Sequence, residues 1–354
     1  MSRFFSSKYS ALTPYTPGEQ PQDMQYIKLN TNESPFPPSP TARKMAAEAA
    51  EKLRLYSDPE CKALNRKAAE YFGLSENELL FTNGSDEILN FAFMAFCDEE
   101  HPAVFPDITY GFYPVFAQLN NVPYVTVPLK EDYSICVEDY IGIGKTVFIA
   151  NPNAPTGIAL PLSDIERIVA GNPDNVVVVD EAYVDFGAES ALSLIKKYDN
   201  LLVVQTFSKS RSMAGARLGF GAGCAALIND LNTIKYSTNP YNVNRMSMAA
   251  GIGALEDKEY FEDNCRRIIE NREWTVKELK ALGFEVLDSS ANFIFAKHKS
   301  ISGAELYSEL KRRGILVRYF DKDRLREYNR ISIGSIEQMQ AYVATIKQIL
   351  EETA

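Results

Sequence analysis

Apolar residues in this chain recur as short uninterrupted runs, separated by stretches with helical spacing. The runs at residues 176–179 and 201–204 contain no polar residue, so they do not alternate apolar with polar positions. Strands of this kind are covered on both faces, as in a mostly parallel sheet flanked by helices. We therefore predict an α/β fold, with a large domain in which helices sandwich a mostly parallel sheet.

The same pattern predicts the order of the elements in that large domain. The helical spacing predicts helices over residues 42–53, 63–72, 86–97, 163–169 and 244–255. The apolar runs predict strands over residues 103–105, 122–127, 146–150, 176–179, 201–206 and 218–222. Alternation of strands with helices is typical of α/β domains.

The two ends of the chain have a different character. Residues 1–40 are rich in proline, serine, threonine and tyrosine, which predicts an extended arm and linker. The C-terminal part begins with a charged helix over residues 258–282 and continues with strands and one helix at 284–287, 293–296, 304–313, 315–317 and 330–333. This order predicts a smaller α+β domain. The predicted divisions are 1–40, 41–255 and 256–354.

Composition and charge exclude several functions. The net charge is −10, and no lysine or arginine block is present, which disfavours binding to nucleic acid or to anionic membranes. No stretch reaches the roughly 20 apolar residues of a membrane span. Five scattered cysteines without a CxxC pair indicate reduced thiols in the cytoplasm. With two histidines, a histidine-based metal site is not expected.

One lysine stands directly after a predicted buried strand. Lys209 follows the β-rich run 201–207, Ser208 and Ser210 flank it, and Arg217 lies eight residues further on. Most lysines are solvated surface charges, and that interpretation stays open here. The alternative is a site in which the amine bonds the aldehyde of pyridoxal phosphate while the hydroxyls and the guanidinium bind its phosphate.

A carboxylate and a tyrosine follow another predicted buried strand. Asp180 and Tyr183 come just after the run 176–179. Most aspartates in such a position cap a helix or form a salt bridge in a loop. The functional interpretation places Asp180 at the carboxyl end of a strand, where open α/β sheets bind ligands. There it would raise the pKa of a pyridinium nitrogen, and its spacing from Lys209 favours this interpretation.

Polar motifs also lie at the ends of other predicted elements. Residues 83–87 open a helix, so their side chains could cap it and their backbone N–H groups could bind a phosphate. Tyr110 could stack on a pyridine ring or be a half-buried loop tyrosine. Residues 151–157 follow a strand as a polar turn, and an asparagine there could lie beside a phenolic oxygen of the cofactor.

These motifs together resemble one family over nearly the whole chain. The resemblance is to the fold-type I, class II pyridoxal-phosphate-dependent aminotransferases, and in particular to their histidinol-phosphate aminotransferase branch. The segments that carry it are LNTNESP at 29–35, YSDP at 56–59, NGSDE at 83–87, YGFY at 110–113, VDEAY at 179–183, TFSK at 206–209 and PYNVN at 240–244.

The resemblance implies a role for each matching residue. The catalytic residues would be Lys209, Asp180 and Tyr183. Around the ring of pyridoxal 5'-phosphate, Asp180 would pair with the nitrogen, Tyr183 would lie at the phenolic oxygen, and Tyr110 would stack. The phosphate would be held by Gly84, Ser85, Asp86, Thr206, Ser208 and Arg217.

The resemblance also implies a homodimer and a substrate site. Tyr56 would reach the cofactor phosphate of the neighbouring subunit, so that the active site is shared between the two subunits. Two arginines would bind the anionic ends of a substrate, and two residues of the N-terminal arm would lie close to it: Arg318, Arg330, Tyr15 and Asn32.

The chain departs from the family pattern at one position. The family has asparagine directly before Pro-Thr-Gly, where this chain has Ala154, and Asn153 stands one residue earlier. Alanine cannot donate a hydrogen bond to the phenolic oxygen. Either Asn153 takes that place through a shifted backbone, or Tyr183 acts there alone.

The implied reaction is transamination of L-histidinol phosphate with 2-oxoglutarate in histidine biosynthesis. Arginine suits both the phosphate of the donor and the carboxylate of the acceptor, so one pocket can serve both half-reactions. A threonine-phosphate decarboxylase shares these motifs and stays an alternative. With 19 tyrosines and 20 phenylalanines, an aromatic amino-acid aminotransferase is another. A regulator that only binds the cofactor would need a basic DNA-binding segment, which this chain lacks.

Overall fold

The chain alternates helices with strands, and a computed structural model describes residues 2–353. The α-helices are α1 Pro40–Ala50, α2 Lys62–Phe72, α3 Ser85–Phe96, α4 Tyr113–Asn120, α5 Leu162–Ala170, α6 Ala225–Thr238, α7 Arg245–Glu256, α8 Lys258–Ala281, α9 Gly303–Arg312 and α10 Ile336–Thr353. The strands are β1 Ile27–Lys28, β2 Leu79–Thr82, β3 Ala103–Pro106, β4 Tyr124–Val127, β5 Thr146–Ala150, β6 Val177–Asp180, β7 Leu201–Thr206, β8 Gly219–Gly223, β9 Phe284–Val286, β10 Phe293–His298, β11 Ile315–Leu316, β12 Arg318–Tyr319 and β13 Asn329–Ser332.

Seven strands form the large sheet, in the order β2-β8-β7-β6-β5-β3-β4. The strands β7, β6, β5, β3 and β4 are parallel to one another, whereas β8 is antiparallel to both of its neighbours. Parallel neighbours need a crossover connection. Helix α4 follows β3 and α5 follows β5, whereas two short 3-10 helices lie between β6 and β7. The predicted fold class, with a mostly parallel sheet between helices, is confirmed.

The apolar runs pack into two cores, one on each face of this sheet. Val177 and Val179 of β6 contact one core together with Val203 of β7. The alternate residues Val178 and Val204 contact the core on the opposite face. All five side chains are fully buried. A strand buried on both faces has no place for polar side chains, which explains the uninterrupted runs.

The C-terminal part contains a second sheet, and the N-terminal arm joins it. The strands β12-β13-β10-β9 form an antiparallel sheet with α8, α9 and α10 beside it. In the arm, β1 pairs in parallel with β11, so that Ile27 is in register with Ile315. The predicted domain boundaries at residues 40 and 255 stay a prediction.

The structure contains elements that the sequence pattern did not predict. They are β1, β2, β12, α4, α6 and α10. The predicted strand over residues 315–317 is observed as β11 over residues 315–316, which pairs with β1. The separate strand β12 follows it and pairs with β13 in the other sheet. Such short segments become strands through their partners, which a local pattern does not specify.

Within residues 2–353, no helix combines the length and the apolar character that a membrane crossing requires. The same residues contain no group of three or more histidine, cysteine, aspartate or glutamate side chains arranged to hold a metal ion. All five cysteines are free thiols.

A buried glutamate ties the ends of two central strands together. Glu181 follows β6, and its carboxylate accepts hydrogen bonds from Ser190 Oγ at 2.6 Å, from the backbone N–H of Ala191 at 2.6 Å and from Gln205 Nε2 at 2.8 Å. Burial raises the pKa of Glu181 from its ordinary value of 4.5 to about 7. The folded protein therefore binds a proton at Glu181 more tightly than the unfolded chain does.

This difference predicts a pH-dependent stability. The contribution of Glu181 is fully present below pH 4.5 and is lost as the pH rises through about 7, because the unfolded chain releases this proton first. We expect Glu181→Gln to remove about 1–3 kcal/mol of the decline in unfolding free energy across that interval, measured by urea unfolding of the cofactor-free protein. The exposed neighbour provides the control, since Glu189→Gln leaves the decline unchanged. An equal decline in wild type and Glu181→Gln would contradict the prediction.

Candidate active site

A cavity of about 1040 Å³ opens at the carboxyl-terminal edge of the large sheet. Because β5, β6 and β7 are parallel, their last residues lie side by side, and Asp180 is in register with Ala150 and Val204. The loops after these strands form much of the wall. The predicted site residues that line the cavity are Tyr15, Asn32, Ser85, Asp86, Tyr110, Asp180, Tyr183, Thr206, Ser208, Lys209, Arg217, Arg318 and Arg330. Gly84, Asn153 and Tyr56 are not among its lining residues.

Lys209 lies just beyond the end of β7. Its Nζ donates a hydrogen bond to the backbone oxygen of Thr31 at 3.2 Å and is 5.8 Å from the centre of the Tyr183 ring. Burial, and then the positive charge of Arg330, lower the pKa of Lys209 to about 8. A substantial fraction of the amine is therefore neutral near physiological pH. The neutral amine is the form that attacks an aldehyde or accepts a proton.

Asp180 ends β6 with its carboxylate inside the protein. Its Oδ2 accepts a hydrogen bond from the Tyr113 hydroxyl at 3.1 Å, and its Oδ1 accepts one from the backbone N–H of Ala182 at 3.2 Å. Burial raises the pKa of Asp180 to about 7, and no cation of residues 2–353 pairs with it. A buried carboxylate without a counter-charge suits a cationic group of a ligand, such as a protonated ring nitrogen.

Hydrogen-bond donors converge at another part of the cavity wall. Helix α3 begins there at Ser85, and no side chain caps its first N–H groups, so the cap considered from the sequence is not formed. Thr206 Oγ1 and Ser208 Oγ lie 3.0 Å apart in the same wall. Uncapped N–H groups at a helix start bind phosphate well, especially beside a guanidinium such as that of Arg217. This donor set fits the phosphate of the predicted cofactor.

Arg217 lies over the start of α3 because Gly84 leaves room for it. A Cβ on Gly84 would be 2.5 Å from Arg217 Nη2, so a larger residue would displace the guanidinium. Arg217 Nη2 is 3.0 Å from Asp86 Oδ2, and the Tyr110 hydroxyl donates to Asp86 Oδ1 at 2.7 Å. The Asp86 carboxylate thus positions Arg217 and Tyr110. A carboxylate repels phosphate, so Asp86 has only its backbone N–H to offer that group.

Tyr183 is oriented by Asn32 of the N-terminal arm and by Phe293 of the small sheet. Its hydroxyl accepts a hydrogen bond from Asn32 Nδ2 at 3.0 Å, and its ring packs edge-on against Phe293 with centroids 5.0 Å apart. Asn32 has a backbone φ of +56°, and its Oδ1 accepts a hydrogen bond from Ser332 Oγ at 3.0 Å. The N-terminal arm and the small sheet therefore fix where the Tyr183 hydroxyl lies.

Asn153 does not line the cavity, and its side chain contacts the neighbouring loop and its own turn. Its Nδ2 donates to the backbone oxygen of Ile108 at 3.0 Å and to Thr156 Oγ1 at 3.2 Å, while its Oδ1 accepts from Thr109 Oγ1 at 2.9 Å. Both amide hydrogens are used inside the protein, and Ala154 lines the cavity instead. Asn153 therefore holds the turn to the neighbouring loop and has no hydrogen left for a cofactor oxygen.

Arg330 presents a guanidinium to the cavity without a carboxylate partner in residues 2–353. One Nη donates to the backbone oxygen of Asn30 at 3.1 Å, and the buried Nε has no partner. The rings of Phe293 and Phe320 lie 5.3 and 5.6 Å from its central carbon. Burial lowers the pKa of Arg330 from its ordinary value. An unpaired guanidinium in such a place is suited to a ligand anion.

The N-terminal arm contributes residues to the cavity wall and is tied down there. The ring of Tyr15 stacks on Phe112 with centroids 4.1 Å apart. Arg318 donates hydrogen bonds of 3.1 Å to the backbone oxygens of Thr16 and Pro17. Arg318 therefore holds the arm, and only its remaining N–H groups are left for a substrate.

Tyr56 lies outside the cavity of its own chain. Its side chain is 80% exposed, and its ring stacks on that of Tyr241 with centroids 4.7 Å apart. Arg245 Nη2 donates to the backbone oxygen of Tyr56 at 2.5 Å. Tyr56 is thus held by Tyr241 and Arg245 while most of its side chain stays exposed.

Two residues of the site were not singled out from the sequence. Tyr113 contacts Asp180, and Thr31 provides the backbone oxygen that Lys209 contacts. Tyr113 belongs to the same YGFY segment as Tyr110, and this motif could have indicated that Tyr113 also lies near the site. It begins α4, however, a helix that the pattern did not predict, so the direction of its side chain could not be inferred.

Comparison with known proteins identifies the class. The family model described as aminotransferase class I and II matches residues 24–346. The chain therefore belongs to the class I and II aminotransferase family, and the predicted resemblance is confirmed. The cofactor of the family is pyridoxal 5'-phosphate, as predicted.

Two relatives that match the chain over its whole length have the name of one particular aminotransferase. The histidinol-phosphate aminotransferase of Brachyspira hyodysenteriae is 52% identical over 353 residues, covering 99% of this chain and all of that protein. The enzyme of that name from Clostridium acetobutylicum is 48% identical over 351 residues, with coverage of 99% and 100%.

Solved structures agree on the fold. A histidinol-phosphate aminotransferase from Clostridium acetobutylicum superposes with a TM-score of 0.86 at 24% identity, covering 92% of this chain and 99% of that one. L-threonine-O-3-phosphate decarboxylase from Porphyromonas gingivalis gives 0.80 at 23% identity, with the same coverage. A transaminase and a decarboxylase thus share this fold, which by itself does not separate the two reactions.

Proposed function

We propose that the protein transfers the amino group of L-histidinol phosphate to 2-oxoglutarate with pyridoxal 5'-phosphate, as a step of histidine biosynthesis. Relatives of that name match the chain over its whole length at 52% and 48% identity. The observation that carries the proposal is the position of Lys209. Its partly neutral amine shares one cavity with the Asp180 carboxylate and the Arg217 guanidinium. These are the groups that the aldehyde, ring nitrogen and phosphate of the cofactor require.

The residues that hold the cofactor follow from the donors and charges of the cavity. Asp180 supplies the negative charge for the ring nitrogen, and Tyr110 supplies an aromatic face for the ring. The N–H groups at the start of α3 bind the phosphate together with the hydroxyls of Thr206 and Ser208 and the guanidinium of Arg217. When bound, the cofactor supplies a carbonyl carbon for the amino nitrogen and a ring that delocalises the electron pair left at the substrate Cα.

Lys209 and Tyr183 act at the reacting atoms. Lys209 Nζ would accept a proton from the substrate Cα and would donate it again, as the proton shuttle of the site. The lowered pKa of Lys209 suits both steps, because the amine is neither fully charged nor a strong base. The Tyr183 hydroxyl, which accepts a hydrogen bond from Asn32, would contact the phenolic oxygen of the cofactor. Asn153 has no part in this arrangement.

Two arginines bind the anionic ends of the substrates. Arg330 has no carboxylate partner in the described chain, so the donor phosphate or the acceptor carboxylate completes its hydrogen bonding. Arg318 is a second donor at the same cavity, next to the arm residue Tyr15. Asn32, a residue of the arm, donates a hydrogen bond to Tyr183 and would contact the substrate from that side. Both half-reactions thereby use one pocket.

We also propose that the enzyme is a homodimer with a shared active site. Tyr56 is exposed and does not line the cavity of its own chain, and Leu53, Leu55 and Tyr241 are also exposed. A cluster of exposed apolar side chains is typical of an interface. In the dimer, Tyr56 reaches the cofactor phosphate of the neighbouring subunit. The five free thiols support a cytoplasmic location for this dimer.

The first prediction concerns the substrate. With 2-oxoglutarate as acceptor, we expect the purified enzyme to have the highest kcat/KM with L-histidinol phosphate in a panel that also contains phenylalanine, tyrosine and threonine phosphate. The physical reason is that Arg330 and Arg318 suit a phosphate end. Release of carbon dioxide from threonine phosphate would instead identify a decarboxylase, and preference for phenylalanine or tyrosine an aromatic aminotransferase.

The second prediction concerns the attachment of the cofactor. Borohydride treatment of the loaded enzyme is expected to fix the cofactor on the peptide that contains Lys209, since reduction makes the bond to Nζ permanent. Lys209→Ala should lose this label and turnover while the protein stays folded by thermal melting. Lys322→Ala, which alters another lysine of the same cavity, is the matched control and should keep the label. A label found on a different peptide would refute the assignment.

The third prediction concerns the shared site. Lys209→Ala and Tyr56→Ala subunits are each expected to have little activity alone. Refolded together, they form mixed dimers in which one site contains both intact residues, so about a quarter of the wild-type activity should return. Mixing Lys209→Ala with a Lys209→Ala, Tyr56→Ala double variant is the control and should restore nothing. No recovery in the first mixture would show that Tyr56 does not serve a neighbouring subunit.

A further inference from the structure

The hydroxyl of Tyr113 is the one side-chain donor that contacts Asp180 in the described chain. Tyr113 begins α4 and is fully buried, and its Oη lies 3.1 Å from Asp180 Oδ2. Aromatic rings surround it, with centroids at 5.6 Å for Phe105, 5.8 Å for Phe148 and 5.7 Å for Tyr110. This polar contact is therefore made in apolar surroundings, where a single hydrogen bond to a charge has a large effect.

The other side chains near Asp180 do not stabilise its negative charge. Asp86 faces it from α3, Tyr110 from the loop before α4, and Tyr183 from the segment after β6. All three are acids, and Asp86 repels the carboxylate. The backbone N–H of Ala182 donates to the other carboxylate oxygen. Without the Tyr113 hydroxyl, Oδ2 would be a buried acceptor with no partner.

We propose that Tyr113 is a positioning residue that keeps Asp180 charged and oriented toward the ring nitrogen of the cofactor. The inference rests on the proposed function, because it concerns how the same site binds pyridoxal phosphate. Tyr113 also packs edge-on against Tyr110, so it connects the group at the ring nitrogen with the aromatic residue at the ring face. Burial and the neighbouring Asp180 raise the pKa of Tyr113 well above its ordinary value, so its hydroxyl keeps the proton that it donates.

Two aldehydes of equal shape can distinguish whether Tyr113 acts on the charge of Asp180 or only on the packing of the site. One is pyridoxal phosphate, and the other is its analogue with a C–H group in place of the ring nitrogen. Both carry the same aldehyde and phosphate, so both form the same contacts with Lys209 and the phosphate-binding residues. Only pyridoxal phosphate has a nitrogen that responds to the charge of Asp180.

The experiment measures the affinity of cofactor-free protein for both compounds by calorimetric titration. Tyr113→Phe removes only the hydroxyl, and we expect it to weaken pyridoxal phosphate by about tenfold to a hundredfold while the analogue changes by no more than about twofold. Tyr140→Phe is the matched control, because the Tyr140 hydroxyl is buried and has no hydrogen-bond partner within residues 2–353. It should leave both affinities unchanged.

A pH series supplies a readout that a packing defect would not move. Affinity for pyridoxal phosphate should fall as Asp180 becomes protonated, and Tyr113→Phe should move this fall to higher pH, because losing a donor to the carboxylate raises its pKa. In an Asp180→Asn background, where no charge exists, Tyr113→Phe should add no further discrimination between the compounds. Thermal melting checks folding, and Tyr113→His, which keeps a donor, is the second variant and should retain part of the discrimination.

The outcomes are distinct. The role of Tyr113 is supported if Tyr113→Phe selectively loses affinity for pyridoxal phosphate and if its affinity falls at a higher pH than that of the wild type. Equal weakening of both compounds, or no change in either, overturns it. If the wild-type protein binds neither compound, the proposed function fails, and that result does not depend on any substitution at Tyr113.

Discussion

The parallel pairing of β5, β6 and β7 is the constraint on which the site depends. It places Asp180 beside Ala150 and Val204 at one edge, and the chain then continues from β7 directly to Lys209. The pairing holds because the strands are apolar on both faces and are covered by two cores. The uninterrupted valine and leucine runs therefore support the fold and also determine where a carboxylate and an amine meet.

The charges that meet there are incompletely paired within the described chain. Asp180 has no cation, Arg330 has no carboxylate, and burial shifts the pKa of Asp180 upward and those of Lys209 and Arg330 downward. Unpaired buried charges cost folding free energy, and they concentrate at sites where a ligand supplies the counter-charge. A ring nitrogen suits Asp180, and a substrate anion suits Arg330. Glu181, the residue directly after Asp180, accepts three hydrogen bonds within the protein and therefore stabilises the fold and needs no ligand.

Some residues of the site could be predicted from the sequence, and others could not. Lys209, Asp180 and Arg217 each follow a strong local signal, and the structure brings them into one cavity, although their roles stay predictions. Asn153 was considered from the turn after β5 and from the family pattern, and its amide donates hydrogen bonds inside the protein. Tyr113 was missed because its direction depends on α4. Short or weakly patterned elements of this kind take their form from tertiary partners.

The sequence by itself determined the α/β class, the family, the cofactor and the identity of the charged groups, because each rests on residue type and on spacing along the chain. Only the tertiary structure decided which groups meet across long separations in sequence. It tied Arg318 to the arm, joined Asn32 to Tyr183, and placed the Tyr113 hydroxyl on Asp180. The physical reason is that a local pattern reports which face of an element is buried, whereas a hydrogen bond between distant residues depends on how the elements pack.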